Sequence, residues 1–333
     1  MFSIWCFFYF KQEFIIQGIV SRTESKDYYV FSGENHSLVR CSLKGKFKKD
    51  FNLKKDKLYQ TDMAIVGDSV LYDLNEDGSG VIYEILPRKN HLSRKAIKTR
   101  GASYRGERLE QIIASNLDNI FIVTSTFEPN FNNKTLDRFL VTCESTRINS
   151  SIIINKIDLA DESSITDWTE LYKNIGYNVF LTSITNPNSI HKLLPFLEGK
   201  KNLFWGQSGV GKSSILNLLF PQLNLKVGEI SNYTSKGTHT TVTSTMVYVG
   251  KETYIIDTPG VREIDPFGIR NEDLGHFFKE FAEFSEHCRF NTCTHRHEPG
   301  CTVILAVQNG KISEERYDSY LRILETVEKD INF

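Results

Sequence analysis

The sequence is short of several things, and each shortage closes off a class of protein. It lacks a net charge: 40 Lys and Arg stand against 41 Asp and Glu, a formal balance of -1. An evenly basic or evenly acidic surface is therefore excluded, and any pull on a charged partner must come from where the charges are placed. A disulfide framework is also missing. Of the six cysteines, Cys6, Cys41 and Cys143 are scattered while Cys288, Cys293 and Cys301 crowd into one segment, a spacing foreign to small oxidised domains. Nor is there a membrane-spanning run: the opening MFSIWCFFYF is apolar but too short to cross a bilayer, with no basic stretch before it and no cleavage site after it. The expectation is a cytoplasmic protein without a membrane partner. That opening reads as a strand or helix docked on the chain, or as an extension ahead of it. No segment is repeated.

What is present is enough for two or three packed domains: 333 residues, 40% of them hydrophobic. The charges are segregated. Arg40 to Lys57 holds eight Lys or Arg against two Asp, Arg88 to Arg108 holds eight against one Glu, and the acidic balance falls after Glu263. Two such blocks suit a polyanion such as nucleic acid and equally suit a solvated face. From Phe14 to about Arg88 short β-rich runs, FIIQGIVS, YYVFS, IVGDSVLYD and GVIYEILP, alternate with turns rich in Gly, Asn and Lys. They predict a small β-barrel. An oligonucleotide-binding barrel and an SH3-like barrel both fit that strand pattern. Lys95 to Arg108, KAIKTRGASYRGER, has no apolar period and two glycines, and is expected as an exposed basic arm.

Beyond it the pattern changes to short apolar runs (NIFIVTS, SSIIINK, NVFLTS, KNLFWG) alternating with helical stretches such as NNKTLDRFLVTCEST and SITDWTELYKNIG. That is the layout of a parallel sheet wound with helices, in which ligands sit beyond the carboxyl ends of strands. Two motifs begin where such runs stop. GQSGVGKSS fits G-x-x-x-x-G-K-[ST] through Gly206, Gly211, Lys212 and Ser213. Its glycines let consecutive N–H groups from about Gly209 to Ser213 face a β-phosphate, with Gln207, Ser208, Val210 and Ser214 completing the cradle. Lys212 brings a mobile positive charge to the β and γ oxygens, and the Ser213 hydroxyl is a Mg²⁺ ligand. Downstream, TYIIDTPG puts Asp257 at a strand end within reach of Mg²⁺ through water, and lets Gly260 offer its N–H to the γ-phosphate. Between them SKGTHTTVTS has the makeup of a switch loop, with Thr241, or else Thr240, as the Mg²⁺ ligand.

The second motif, INKID at Ile154 to Asp158, precedes the phosphate loop by about fifty residues. Asp158, two residues beyond a lysine, can accept both N1–H and the 2-amino group of guanine. Asn155 would brace the loop and contact the base, the stem of Lys156 would lie along its face, and Ile157 completes the loop. Ser183, in LTS, would bring a backbone N–H to guanine O6. The order is thus base loop, phosphate loop, first switch, second switch, a circular permutation of the usual GTPase order. Such a rearrangement is tolerated where the old termini lie close together.

Near the end, CRFNTCTHRHEPGC gives Cys288, Cys293, His295 and Cys301 at C-x4-C-x-H-x5-C spacing, a set able to close a tetrahedral, structural Zn²⁺ site. On spacing alone His297 is a rival nitrogen ligand. The glutamine that orients water in many GTPases is absent: DTPGVRE has Val261 there. Intrinsic hydrolysis is expected to be slow, with His239 as the nearest positioning group, or else a plain loop histidine.

From about Phe14 onward, NKID, GQSGVGKSS, GTHTT, DTPG and the final Cys/His cluster together resemble the circularly permuted, small-ribosomal-subunit-dependent GTPases of bacterial ribosome biogenesis. RGERLEQIIASNLDNIFIV resembles the lead-in to their GTPase domain. Two departures stand out: Ile184 occupies the place where the family's base-contacting Ser-Ala pair has alanine, and the apolar opening is foreign to it. The resemblance implies a multidomain fold: an OB-like N-terminal β-barrel, a central α/β circularly permuted P-loop GTPase domain and a C-terminal α-helical zinc domain. It also implies the small ribosomal subunit and its rRNA as partners, GTP and GDP as ligands with Mg²⁺, one structural Zn²⁺ per chain with His295 as the nitrogen ligand, and a role in late subunit maturation. The boundaries expected are 1–13 for the extension, 14–90 for the barrel, 91–110 for the linker or arm, 111–268 for the GTPase domain and 269–333 for the zinc domain, in a monomer. Two rival readings are a nucleotide-gated RNA-binding module with incidental hydrolysis and an adenine-specific ATPase.

Overall fold

The structure, a computed structural model, describes residues 15–45, 64–95, 110–225, 244–257 and 268–331. The apolar opening, most of the Lys95 to Arg108 arm, His239, Thr240, Thr241, Gly260 and Val261 lie outside the described residues.

Five strands close into a barrel: β1 (Ile16–Glu24), β2 (Asp27–Ser32), β3 (Leu38–Leu43), β4 (Ser69–Leu74) and β5 (Gly80–Ile85), in the order β1-β2-β3-β5-β4. β1 completes the ring by pairing antiparallel with β4. Alternate residues point inward, so that Val20, Val30, Cys41, Val70, Tyr72 and Ile82 fill the interior. The choice between barrels turns on one pairing. β3 runs parallel to β5, a crossing that makes the ring a Greek key of the oligonucleotide-binding kind.

After the barrel come β6 (His91–Lys95) and β7 (Glu110–Ser115), paired antiparallel. The segment expected as a linker therefore begins and ends in strands. Leu92 and Ala114 anchor them in the central core; neither belongs to a long apolar run, which is why periodicity missed them.

A six-stranded sheet follows: β8 (Asn119–Ser125), β9 (Asn149–Asn155), β10 (Asn178–Leu181), β11 (Lys201–Trp205), β12 (Thr245–Gly250) and β13 (Thr253–Asp257). Its spatial order is β10-β9-β8-β11-β13-β12, parallel except for β12, which runs antiparallel to β13. With β11, β12, β13, β8, β9 and β10 counted as one to six, that order reads 6-5-4-1-3-2. Winding thus reverses at β11, where a doubly wound sheet puts its ligand.

Helices cover both faces. α1 (Asn133–Ser145) and α2 (Glu162–Asn174) lie on one; the short α3 (Pro187–His191) and α4 (Leu194–Leu197) and the phosphate-loop helix α5 (Lys212–Leu219) lie on the other. α1 starts where the Asn132 side chain accepts from the Thr135 N–H at 3.1 Å. Leu136, Phe139, Leu140 and Cys143, at helical spacing, are buried against the sheet. Cutting Leu140 back to alanine would cost about 2–5 kcal/mol.

The other side of α1 receives the C-terminal region: 3₁₀ turns at Asn271–Phe277 and Lys279–Phe281, then α6 (Ala282–Ser285), α7 (Thr302–Gln308) and α8 (Glu314–Ile331). Leu274, Phe278, Phe281, Val303, Tyr320 and Leu324 form its core, joined by Val141 of α1. Across this joint Arg316 of α8, 1% exposed at its side chain, donates to Asp137 of α1 and to Glu280 at 2.6 and 3.1 Å. Tyr172 of α2 donates to Asp137 at 2.7 Å. Burial works against the Arg316 charge, but Asp137 and then Glu280 outweigh it and hold the guanidinium protonated.

The barrel sits on the β12 edge of the sheet. Ser21 donates to the Met246 carbonyl at 2.8 Å. His36 stacks on Tyr248 at 4.0 Å and meets Glu252 at 2.8 Å. Covering an edge strand this way removes a template for unwanted pairing.

Candidate nucleotide site and metal centre

The loop between β11 and α5 takes its shape from glycine. A Cβ on Gly206 would lie 2.1 Å from the Val123 carbonyl oxygen, and one on Gly211, at φ 99°, would lie 2.2 Å from Asn155 Nδ2. Both positions exclude a side chain by contact, and Gly211 by conformation as well. Val210 is buried and fixes the loop to the α5 side of the sheet, while Ser208 and Gly209 are exposed and Ser213 and Ser214 half-buried at the start of α5. The Lys212 ammonium arches back to donate to the carbonyls of Gly206 at 2.8 Å and Gln207 at 2.7 Å. Exposed N–H groups at the start of a helix, with an ammonium over them, form a cradle for phosphate.

The base loop leaves the neighbouring strand end and is tied to that cradle. Asn155, 1% exposed, donates through Nδ2 to the Val210 carbonyl at 2.9 Å and accepts from the Thr182 hydroxyl at 3.0 Å. It acts as a brace between three strand ends. Lys156 takes the left-handed conformation at φ 62° and donates to the carbonyls of Phe127 and Glu128. Thr126 secures the same turn, its N–H on the Asn155 carbonyl at 3.1 Å and its hydroxyl on that of Lys156 at 2.6 Å. Asp158 lies exposed in the 3₁₀ turn Ile157–Leu159, its carboxylate oriented by the Ser183 hydroxyl. The Ser183 N–H donates to Ser189 Oγ at 3.1 Å. Thr126, Thr182 and Ser189 were not singled out from the sequence; only LTS carried a signal, and that was one of position.

Asp257 ends β13 beside β11 and pairs with Thr245. The Ser213 hydroxyl and the Asp257 carboxylate are hard oxygen donors at the ends of adjacent elements, a set suited to Mg²⁺.

The Cys/His cluster is more compact. Cys288, Cys293, His295 and Cys301 bring their ligand atoms within 4.8 Å of one another. His295 Nδ1 lies 3.6 Å from Cys288 Sγ and 3.4 Å from Cys301 Sγ, and the two sulfurs are 3.9 Å apart. A tetrahedral ion with metal–sulfur bonds of about 2.3 Å and metal–nitrogen bonds of about 2.0 Å has edges of roughly 3.5 to 3.8 Å. The spacing therefore fits a four-coordinate metal. Burial raises the Cys293 and Cys301 thiols, so thiolates there need a cation; it lowers His295 toward the neutral imidazole that coordinates.

The loop is held by Glu298. Burial alone would raise its carboxyl, but donors hold it at about 2: the Thr294 hydroxyl and N–H at 2.5 and 2.7 Å, and the N–H groups of Arg296 and His297 at 2.9 and 3.1 Å. Tyr317 of α8 donates to the His295 carbonyl at 2.7 Å and fixes the backbone there, while the His295 ring packs against Phe281 and Tyr320.

A sheet reversing at β11, with a base loop on β9 and a phosphate loop on β11 joined by Asn155, defines a circularly permuted P-loop GTPase. Comparison with known proteins carries this further. The chain belongs to the RsgA GTPase family, whose model matches residues 85–267. It is 38% identical over 317 residues to the small ribosomal subunit biogenesis GTPase RsgA of Phocaeicola vulgatus, covering 94% of this chain and 98% of the relative. It is 37% identical over 314 residues to that of Bacillus cereus, covering 93% and 97%. Among solved structures, YjeQ from Thermotoga maritima is 32% identical with a TM-score of 0.75, covering 94% of this chain and 98% of that one. YloQ, described as a circularly permuted GTPase, is 29% identical with a TM-score of 0.72, covering 96% and 97%.

Proposed function

We propose that this chain hydrolyses GTP to GDP and phosphate in the late maturation of the small ribosomal subunit, binding the subunit in the GTP form and leaving after hydrolysis. The Asn155–Val210 hydrogen bond of 2.9 Å carries the reading. It locks the base loop to the phosphate loop although the sequence presents them in reversed order. Asp158 reads guanine, with Lys156 and Ile157 shaping the base site and Ser183 orienting the carboxylate. Gly206 to Ser214 hold the phosphates, and Gly260 contacts the γ-phosphate.

In the reaction a water oxygen bonds to the γ-phosphorus, the bond to the β–γ bridging oxygen breaks, and its electron pair stays on GDP. Lys212 and the loop N–H groups stabilise the charge shifted onto the oxygens. Ser213, Thr241 and Asp257 are the Mg²⁺ ligands, and the ion, when bound with GTP, offsets phosphate charge. Val261 offers no group to orient the water, so His239 is assigned that task and the subunit is expected to supply the remaining stimulation. Cys288, Cys293, His295 and Cys301 hold one structural Zn²⁺. The barrel, the basic arm and the zinc region contact rRNA, and the protein works as a cytoplasmic monomer.

The test is steady-state phosphate release from GTP and from ATP, with and without small subunits, with large subunits as control. Stimulation confined to GTP with small subunits is expected. Equal, unstimulated rates for both nucleotides would overturn the reading. RNA affinity indifferent to blocked hydrolysis would favour a nucleotide-gated RNA-binding module.

A further inference from the structure

On the sheet face opposite the phosphate-loop helix is a cavity of about 270 Å³ that the nucleotide site does not use. Ile154, which lines it, packs with α1 and α2, whereas Ile153, one residue earlier, packs with α5. The pocket thus lies behind the base loop, on its far side from the phosphates. Ile154 and the buried Ile165 line it. One wall is aromatic: the rings of Phe131 and Trp168 lie 5.2 Å apart at 42°, both half-buried. Three polar side chains complete the lining: Thr126, Asn130 and Asn133, the last with its amide directed to the Glu315 carbonyl and the Ser319 hydroxyl at 3.4 Å. Thr126 spends its proton on the Lys156 carbonyl at 2.6 Å, which leaves its oxygen as an acceptor. Asn130 is exposed, and among the described residues its amide has no partner, so it presents donor and acceptor together.

We propose that this pocket binds a single nucleobase, adenine above all, stacked on Trp168 and read at its edge by Asn130. The volume lies just below the usual range for ligand pockets, about 300–1,000 Å³, so it suits one ring system and not a whole nucleotide. A lining that combines an aromatic wall with three polar side chains suits a flat ring with a polar edge over an aliphatic chain. A side-chain amide matches the paired acceptor and donor of adenine, N7 and the 6-amino group. Thr126 and Ile154 are fixed by the base loop they adjoin, so the wall exists before the ligand arrives. Two sources present the same chemistry, a free adenine nucleotide and an unpaired adenine in single-stranded RNA.

The full chain, loaded with GDP so that the guanine site is filled, is titrated with AMP in one arm and with a hexaadenylate RNA in the other. Tryptophan fluorescence is the readout: stacking quenches Trp168, Trp205 is buried, and the signal of the third tryptophan, Trp5, is subtracted with the Trp168→Phe trace. A saturable quench is expected in at least one arm, absent in Trp168→Phe. In Asn130→Ala its midpoint should rise by about 3- to 10-fold, the loss of one or two hydrogen bonds. Both substitutions are mild, and unchanged GDP binding verifies the fold. A quench with RNA alone identifies a strand as the source, and one with AMP, a free nucleotide. No saturable quench in either arm, or one that persists in Trp168→Phe, overturns the proposal, whatever the small subunit does to turnover.

Discussion

The nucleotide site and the Cys/His cluster solve the same problem, holding polar groups ready for a charged ligand, in opposite ways. The first is collected from distant chain: Asn155 reaches Val210 across 55 residues, and the side chains of Asn155, Lys156, Asp158 and Lys212 already have partners within the protein. The second comes from one loop of fourteen residues, and its ligand atoms crowd against one another, with Cys288 Sγ also 3.3 Å from the Thr302 hydroxyl. A site of the first kind should survive loss of its ligand. One of the second kind should not.

The largest effect expected is therefore at the cluster. Removing the ion with a strong chelator, or replacing Cys301 with Ser, should cost the C-terminal region much of the roughly 10 kcal/mol scale of structural zinc sites. Circular dichroism would show the 302–331 helices melting separately and early. Retained cooperative melting without metal would erase the contrast between the two sites.

Next in size is the ion cluster that fastens the C-terminal region to α1. Arg316→Met strands the Asp137 carboxylate in a buried setting and should destabilise the chain by about 3–5 kcal/mol, read as a drop in the denaturant midpoint. An unchanged midpoint would mean that the two regions are stable independently.

At the nucleotide site the effects should be smaller and fall mainly on binding. Asp158→Asn removes a charged acceptor from guanine, and GTP affinity should weaken by about 10- to 100-fold, with ATP unaffected. Isothermal titration with both nucleotides reads this out, and GTP affinity that does not move would return NKID to coincidence. Asn155→Ala should cost about 1–3 kcal/mol of stability by leaving the Val210 carbonyl and the Thr182 hydroxyl unpaired, visible as a lower melting temperature together with weaker GDP binding. Smallest should be Ser183→Ala, at about 0.5–1.5 kcal/mol in GTP binding, since Asp158 would keep its place in the turn.

Motifs set by local chemistry were legible in the sequence. GQSGVGKSS gave a strand, loop and helix because glycine is required where Gly206 meets Val123 and Gly211 meets Asn155. The cysteine spacing announced a compact cluster. Pairings between distant strands were not legible. The kind of barrel depends on β3 lying parallel to β5, which no strand pattern reveals, and the short β6 and β7 needed each other to be seen. Arg316 reads as a surface residue of a charged helix; its burial depends on Asp137, 179 residues away. Of the nucleotide site, the motif residues carried a pattern and their supports did not, because hydroxyls such as those of Thr126 and Thr182 carry no pattern of their own.

The permutation has a mechanical consequence. The chain enters the sheet at β8 and leaves it from β13, and these two strands flank β11 directly. The barrel and β6–β7 ribbon hang from one of them and the metal-binding region from the other. The strand bearing the phosphate loop is therefore the span between the two points where the chain enters and leaves the sheet, and a tug along the chain from either side reaches the middle of the sheet, while the barrel also grips its β12 edge.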